Sequence, residues 1–218
     1  MMTQEEYLKE LEERRAAEVV EGKKLRTRVT EIVEHLGCGW EIVPPNPEME
    51  MWERCFVDLT GMEMSGRKQL LRINTGDYKY KDRIVCSYFL KGVAQFKPYK
   101  DSTKLEITCK KEKSALQIAK EIQNRLLPDA QVLFAYCAEK ANEADDYIAN
   151  TKATAESLAK SMGLALDENT RDGSSYYIQG KGNVRAVRID GANSIKIELH
   201  SVTALQAETI INLLKDSK

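Results

Sequence analysis

The 218 residues include 42% hydrophobic and 31% charged side chains. That is enough apolar material to pack one large or two small domains and too much for a disordered chain. A formal net charge of −1 removes any global attraction to nucleic acid or acidic membranes, and five widely spaced cysteines without a CxxC pair (Cys38, Cys55, Cys86, Cys109, Cys137) exclude a disulfide framework or a structural zinc site.

The opening residues Met1 to Glu6 are polar and acidic, unlike a signal peptide. No apolar run approaches the ~20 residues that span a bilayer. The chain therefore reads as cytoplasmic, with reduced cysteines, several of them buried as small hydrophobes.

Thr3 followed by Glu6 forms a capping box that starts a helix near residue 4. Leu25, Val29, Ile32 and Leu36 line one face of it, and Gly37 stops it. Leu8 and Leu11 share that phase, but Arg15, Glu18 and Gly22 interrupt it, so the early turns project or bend. Pro44, Pro45 and Pro47 then make a rigid connection.

Strands are expected over 54–59, 69–74, 83–90, 93–97 and 104–110, with Gly61, Gly66, Gly76 and Gly92 in the loops. In the last of these strands Leu105, Ile107 and Cys109 share a face. Ser114 caps a helix that Pro128 ends, and Pro128 suits the first turn of another helix, over 129–162. That helix carries a seam of mostly small residues from Cys137 through Ala141, Ile148 and Ala155 to Met162, at heptad spacing. Pairing the two long helices would bury both stripes.

The tail reads as strands over 175–180, 184–190 and 194–200, then a helix capped by Thr203. Lys181, Gly182 and Asn183 form a hairpin turn. Ile195, Ile197 and Leu199 are expected inward, with Lys196, Glu198 and His200 outward.

The expected fold is therefore α+β: two antiparallel-sheet lobes flanked by helices and joined by two long helices, with domains over 1–128 and 129–218. The halves suggest an internal duplication. Ser114-Ala-Leu-Gln117 matches Thr203-Ala-Leu-Gln206, and Ile122 falls at the same offset as Ile211.

Local charge is the main functional signal. Residues 61–113 hold 13 Lys/Arg against 6 Asp/Glu, whereas 1–60 and 129–172 are acidic. The candidate nucleic-acid-binding residues are Lys79, Lys81, Arg83, Lys97, Lys100, Lys110, Lys111 and Lys113. Tyr78, Tyr80, Tyr88, Phe89, Phe96 and Tyr99 are interleaved with them as candidate stacking platforms. Lys110, Lys111 and Lys113 also precede a helix N-terminus, which favours anions. The plain alternative is a solvated strand face over an aromatic core.

Helix, strands and a lysine-led last helix resemble the double-stranded-RNA-binding domain in topology, with Lys110-Lys-Glu-Lys113 at the relevant junction. The resemblance implies contacts to RNA phosphates. The second half departs from it, with His200-Ser-Val-Thr203 there, and the first half has too many strands. The eleven residues Ile118 to Pro128 also resemble a stretch that recurs in uncharacterised phage and mobile-element proteins. That resemblance implies such an origin and no activity.

No catalytic motif, metal site or cofactor is expected. His35 and Cys38 lack a second ligand pair, Glu139, Glu143 and Asp146 lack a Glu-x-x-His, and His200 reads as a surface residue. The leading expectation is a non-catalytic interaction protein with a protein partner, self-association through the long helices being another route. DNA or RNA binding is the alternative, and an enzyme with an unfamiliar site the third.

Overall fold

A computed structural model describes residues 3–37, 39–44, 56–75, 82–167, 175–180 and 184–215. The fold is α+β, with a five-stranded and a four-stranded antiparallel sheet. Contacts divide the chain into two units, Met1–Ala141 and Asn142–Lys218.

In the first unit, α1 (Gln4–Leu36) begins at the expected capping box. Thr3 Oγ1 accepts from the Glu6 N–H at 3.3 Å, and the Glu6 carboxylate accepts from the Thr3 N–H at 2.8 Å. Gly37 ends the helix at φ +88°, a conformation that favours glycine. Leu25, Val29, Ile32 and Leu36 are its buried residues, so all the turns before Leu25 project from the core.

The sheet is a meander of β1 (Glu41–Ile42), β2 (Phe56–Met64), β3 (Arg67–Thr75), β4 (Arg83–Phe89) and β5 (Glu106–Lys110), in spatial order β1-β2-β3-β4-β5. Alternation sends Val57 and Leu59, Leu71 and Ile73, Cys86 and Tyr88, and Ile107 and Cys109 into one core with α1. The opposite face carries a polar row in register: Asp58, Arg72, Ser87 and Glu106.

Two expectations in this sheet are corrected. Gly61 lies inside β2, where the register shifts between Thr60 and Glu63. A Cβ there would stand 3.0 Å from the Trp40 ring and 3.2 Å from Gln69 Cβ, so close packing, rather than a loop, requires the glycine. The expected strand at 93–97 is a 3-10 turn over Ala94–Phe96. Phe96 and Lys97 donate to the carbonyls of Val93 and Ala94, so the backbone groups close locally instead of joining a ladder.

After β5, Ser114 and Gln117 form a second capping box at the head of α2 (Ala115–Glu121). Pro128 does not stop the helical backbone. A π turn over Ile122–Leu126 carries it into α3 (Leu127–Met162). Leu127 donates to Ile122, five residues back, so the ladder has already slipped by one residue where proline removes a donor. Within the π turn, Gln123 Nε2 reaches the carbonyls of His35 and Leu36, at 3.2 Å each, and caps the C-terminus of α1.

Among the described residues, Gln69 is the buried polar side chain of this core, and its amide is satisfied. Gln69 donates to the Met62 carbonyl at 2.9 Å and accepts from the Tyr88 hydroxyl at 2.8 Å and from Gln131 at 3.0 Å. The α3 seam is shared between two cores: Cys137 and Ala141 belong to the first, Ala155 to the second.

In the second unit, Gly163 at φ +64° ends α3. The meander β6 (Leu166–Asp167), β7 (Tyr176–Gln179), β8 (Val184–Gly191) and β9 (Ser194–Leu199) leads to α4 (Ala204–Lys215), again behind a capping box. Ala155 and Ala159 of α3 lie against Tyr176, Ile178, Val187 and Ile189. Tyr147 donates to the Asp190 carbonyl, and its hydroxyl would lie 2.6 Å from a Cβ on Gly191.

The expectation for β9 holds for the direction of its side chains and fails for their burial. Ile195, Ile197 and Leu199 are 44%, 55% and 39% exposed. They do lie on the core side of the sheet, because Ile195 stands opposite Ile189 and Ile197 opposite Val187. The buried part of the core lies over β7 and β8, with Leu166 of β6 partly covered, and β9 extends beyond it.

Candidate functional site

The six described candidate cations do not form one surface. Lys79 and Lys81 lie outside the described residues, as do Tyr78 and Tyr80. Arg83 and Lys110 stand directly opposite each other, Arg83 opening β4 and Lys110 closing β5. Counting by twos from Ser87 and Glu106 puts both on the solvent face of the sheet. Lys111, half-buried, follows at once, its N–H donating to the Asp82 carbonyl. Lys97 and Lys100 sit in the β4–β5 connection, at the far end of these strands.

Carboxylates spend part of this charge. Lys113 pairs with Glu121, which also takes Arg125 at 2.6 Å. Lys97 pairs with Asp101 at 3.3 Å. The Asp101 carboxyl is held below its ordinary value, first by hydrogen bonds from Thr103 and then by Lys97. The cleft beside Lys113, about 550 Å³, mixes Lys24, Arg28 and Lys113 with Glu31 and Glu112. Arg28 spans it by donating to the Lys113 carbonyl. The helix start that follows is closed by its own side chains, since Ser114 Oγ accepts from the Gln117 N–H at 3.3 Å.

A buried thiol adjoins this corner, Cys109 Sγ donating to Glu121 Oε2 at 3.5 Å. The Cys109 thiol is drawn down to about 7, chiefly by its hydrogen bond with Cys86 and then by Lys113, Arg125 and Arg83. The same bond, with burial, pushes Cys86 up. Cys86, Cys109 and Cys137 are free and buried, as the composition suggested, whereas Cys38 and Cys55 fall outside the described residues.

The aromatics divide in the same way. Tyr88 is a core residue, its ring edge-on to Phe134 at 6.0 Å, so it offers no stacking face. Phe56 and Phe89 flank Arg72, whose guanidinium lies 3.8 Å and 5.2 Å from the ring centres. Asp58 holds that guanidinium through two hydrogen bonds, of 2.7 and 2.9 Å. Tyr99 is fully exposed, beside Lys97 and Lys100 rather than Arg83 and Lys110.

The second unit carries a feature that sequence reasoning missed. An open groove of about 450 Å³ runs between α3 and β9, lined by Ala153, Thr154, Ser157, Leu158, Ser161 and Ile195. Ala153, Ser157 and Ser161 recur every four residues, so a small-residue strip forms its α3 side. Ile197 and Leu199 continue the apolar row of Ile195 along β9. Nearby in sequence, α4 exposes Leu205 at 74%, Ile211 at 51% and Leu213 at 67%, while Ala207 and Ile210 are half-buried. A helix apolar on both sides is ordinarily covered on both. The spacing of four in 153–161 was the available signal.

Glu139, Glu143, Asp146, His35 and His200 are exposed. Among the described residues no cluster of His, Cys, Asp or Glu could hold a metal ion, and no helix is long and apolar enough to cross a membrane. No family model, curated protein or solved structure matches the chain.

Proposed function

We propose that this chain is a non-catalytic interaction protein of the cytoplasm that binds an apolar helix of a partner protein in the groove between α3 and β9. The carrying observation is the groove itself: small residues along α3, an open apolar row along β9, and no side chain of the unit's core filling it. An amphipathic helix laid there would cover Ile195 and Ile197 and approach the α3 backbone at Ser157. The short resemblance at Ile118 to Pro128 favours a phage or mobile-element accessory factor as the setting.

Co-purification from the native host tests this reading, with Ser157→Arg as the comparison. Ser157 is exposed, so the larger side chain fills the groove without entering the core. A partner retained by the wild type and lost from Ser157→Arg is expected. Retention by both, or by neither, would refute the proposal.

A second reading, nucleic-acid binding, is favoured by one observation. Arg83 and Lys110 face each other across two strands, an unfavourable like-charge pair that a phosphate between them would relieve. Reversing Lys110, Lys111 and Lys113 should weaken binding to duplex or single strands and flatten its salt dependence. An unchanged salt slope would remove this reading.

A further inference from the structure

We infer that the second unit self-associates, β9 pairing antiparallel with β9 of a second copy about a two-fold axis through Ile197. The inference goes beyond the partner-binding groove, because it uses the free edge of the sheet rather than the space over its face.

β9 is the last strand in the order β6-β7-β8-β9, so among the described residues one side of it has no neighbouring strand. An edge of this kind offers unpaired N–H and C=O groups to another strand. Proteins protect such edges with proline, bulges or charge. β9 contains no proline, and both register shifts in its pairing with β8 come from extra residues of β8, one between Val184 and Ala186 and one between Ile189 and Gly191, so β9 itself carries no bulge. The stretch Ile195 to Leu199 between them is regular and exposed.

Its one protective device is charge, and that charge is self-complementary. Antiparallel pairing about Ile197 sets Lys196 opposite Glu198 of the second copy and Glu198 opposite its Lys196. It also sets Ile195 opposite Leu199, twice, and Ile197 opposite itself. Opposite charges and apolar pairs directly across strands are both stabilising, and like charges there are not. Lys196 would thus repel most strands, whereas a second copy of this one brings the matching carboxylate. Among the described residues Lys196 pairs with Glu198, at 3.4 Å, and both are well exposed. Pairing would join two four-stranded sheets into eight strands and merge two short apolar rows into one long row. A closed two-fold contact of this kind stops at the dimer.

Sedimentation of the full chain across a wide range of concentration tests the inference. The wild type should pass from monomer to dimer. Ile197→Lys places two lysines against each other at the axis and should weaken dimerisation by roughly a hundredfold. Lys196→Glu and Glu198→Lys each turn two attractive pairs into two repulsive ones and should weaken it by about tenfold. The decisive sample is an equal mixture of these last two variants. Each then supplies the charge the other lacks, and a mixed dimer should form as tightly as the wild-type one. Loss of the ion pair within one chain could not be repaired by mixing. A wild type monomeric at every concentration, a dimer indifferent to all three substitutions, or a mixture no tighter than its components would each overturn the proposal. The purified chain has no partner present, so these outcomes are independent of the groove, and Ser157→Arg should dimerise normally.

Discussion

β5 and β9 occupy the same place in their units. Each is the last strand of a meander that begins with a two-residue strand after a glycine-stopped helix, and each leads into a capping box of the same geometry. Over β5, however, Ile118, Ala119 and Ile122 complete the core, and Ile107 and Cys109 are buried. Among the described residues no such layer lies over β9, and Ile195, Ile197 and Leu199 are exposed. The first unit has α1, α2 and the start of α3 on one sheet face; the second has the end of α3. The same local pattern thus yields a closed core in one unit and an open surface in the other. The number of covering helices decides the outcome, and that is a property of tertiary packing rather than of the strand.

The sharpest way to break this comparison is to truncate matched side chains. Ile107→Ala should cost about 2–5 kcal/mol, because it opens a cavity in a closed core. Ile197→Ala removes a side chain that is 55% exposed and should cost the folded monomer under about 1 kcal/mol. Trp40 and Trp52 both precede Ala141, so tryptophan fluorescence during urea unfolding follows the first unit, and hydrogen exchange follows β9. Equal costs at the two positions would mean that β9 is covered after all.

The buried polar network gives the next effect, and the second unit has no equivalent of it among its described residues. Gln69→Ala would strip partners from the Met62 carbonyl, Tyr88 and Gln131 and should cost about 1–3 kcal/mol. Tyr88 adds a pH dependence. Burial raises its phenol well above the ordinary value of about 10. The unfolded chain therefore loses that proton first, and the associated stability, complete below about pH 10, falls away as pH rises further. Alkaline titration of unfolding should show this slope in the wild type and a shallower one in Tyr88→Phe. Parallel slopes would contradict it.

The legible parts of the molecule were those in which neighbours along the chain decide the outcome. Thr3, Ser114 and Thr203 cap helices because their partners sit three residues away, and the inward row of β5 follows from alternation alone. Pro128 misled because a π turn, visible only as backbone, had already absorbed its missing donor. The basic stretch was legible as composition but not as a surface. Glu121 and Asp101 neutralise Lys113 and Lys97 by folding back locally, and Tyr88 turns inward. The α3–β9 groove had a faint trace in the spacing of Ala153, Ser157 and Ser161. Sequence reading followed the neighbouring seam through Ala155 instead, which is the side that packs on the sheet.

The smallest effect compares the two matching caps. Ser114→Ala and Thr203→Ala remove the same pair of hydrogen bonds, 2.9 and 3.3 Å in both cases. Each loss is worth about 1 kcal/mol to its helix. In α2 that cost passes to the whole first unit, because Ile118 and Ala119 are part of its core and cannot leave without opening it. Urea unfolding followed by fluorescence should therefore report about 1 kcal/mol for Ser114→Ala. Among the described side chains of α4 nothing comparable is buried, since Ala207 and Ile210 are only half-covered. Thr203→Ala should then fray the helix, speeding amide exchange over 204–210, and leave the fluorescence transition where it was. A shift of equal size in both variants would show that α4 is as tightly coupled to its core as α2 is.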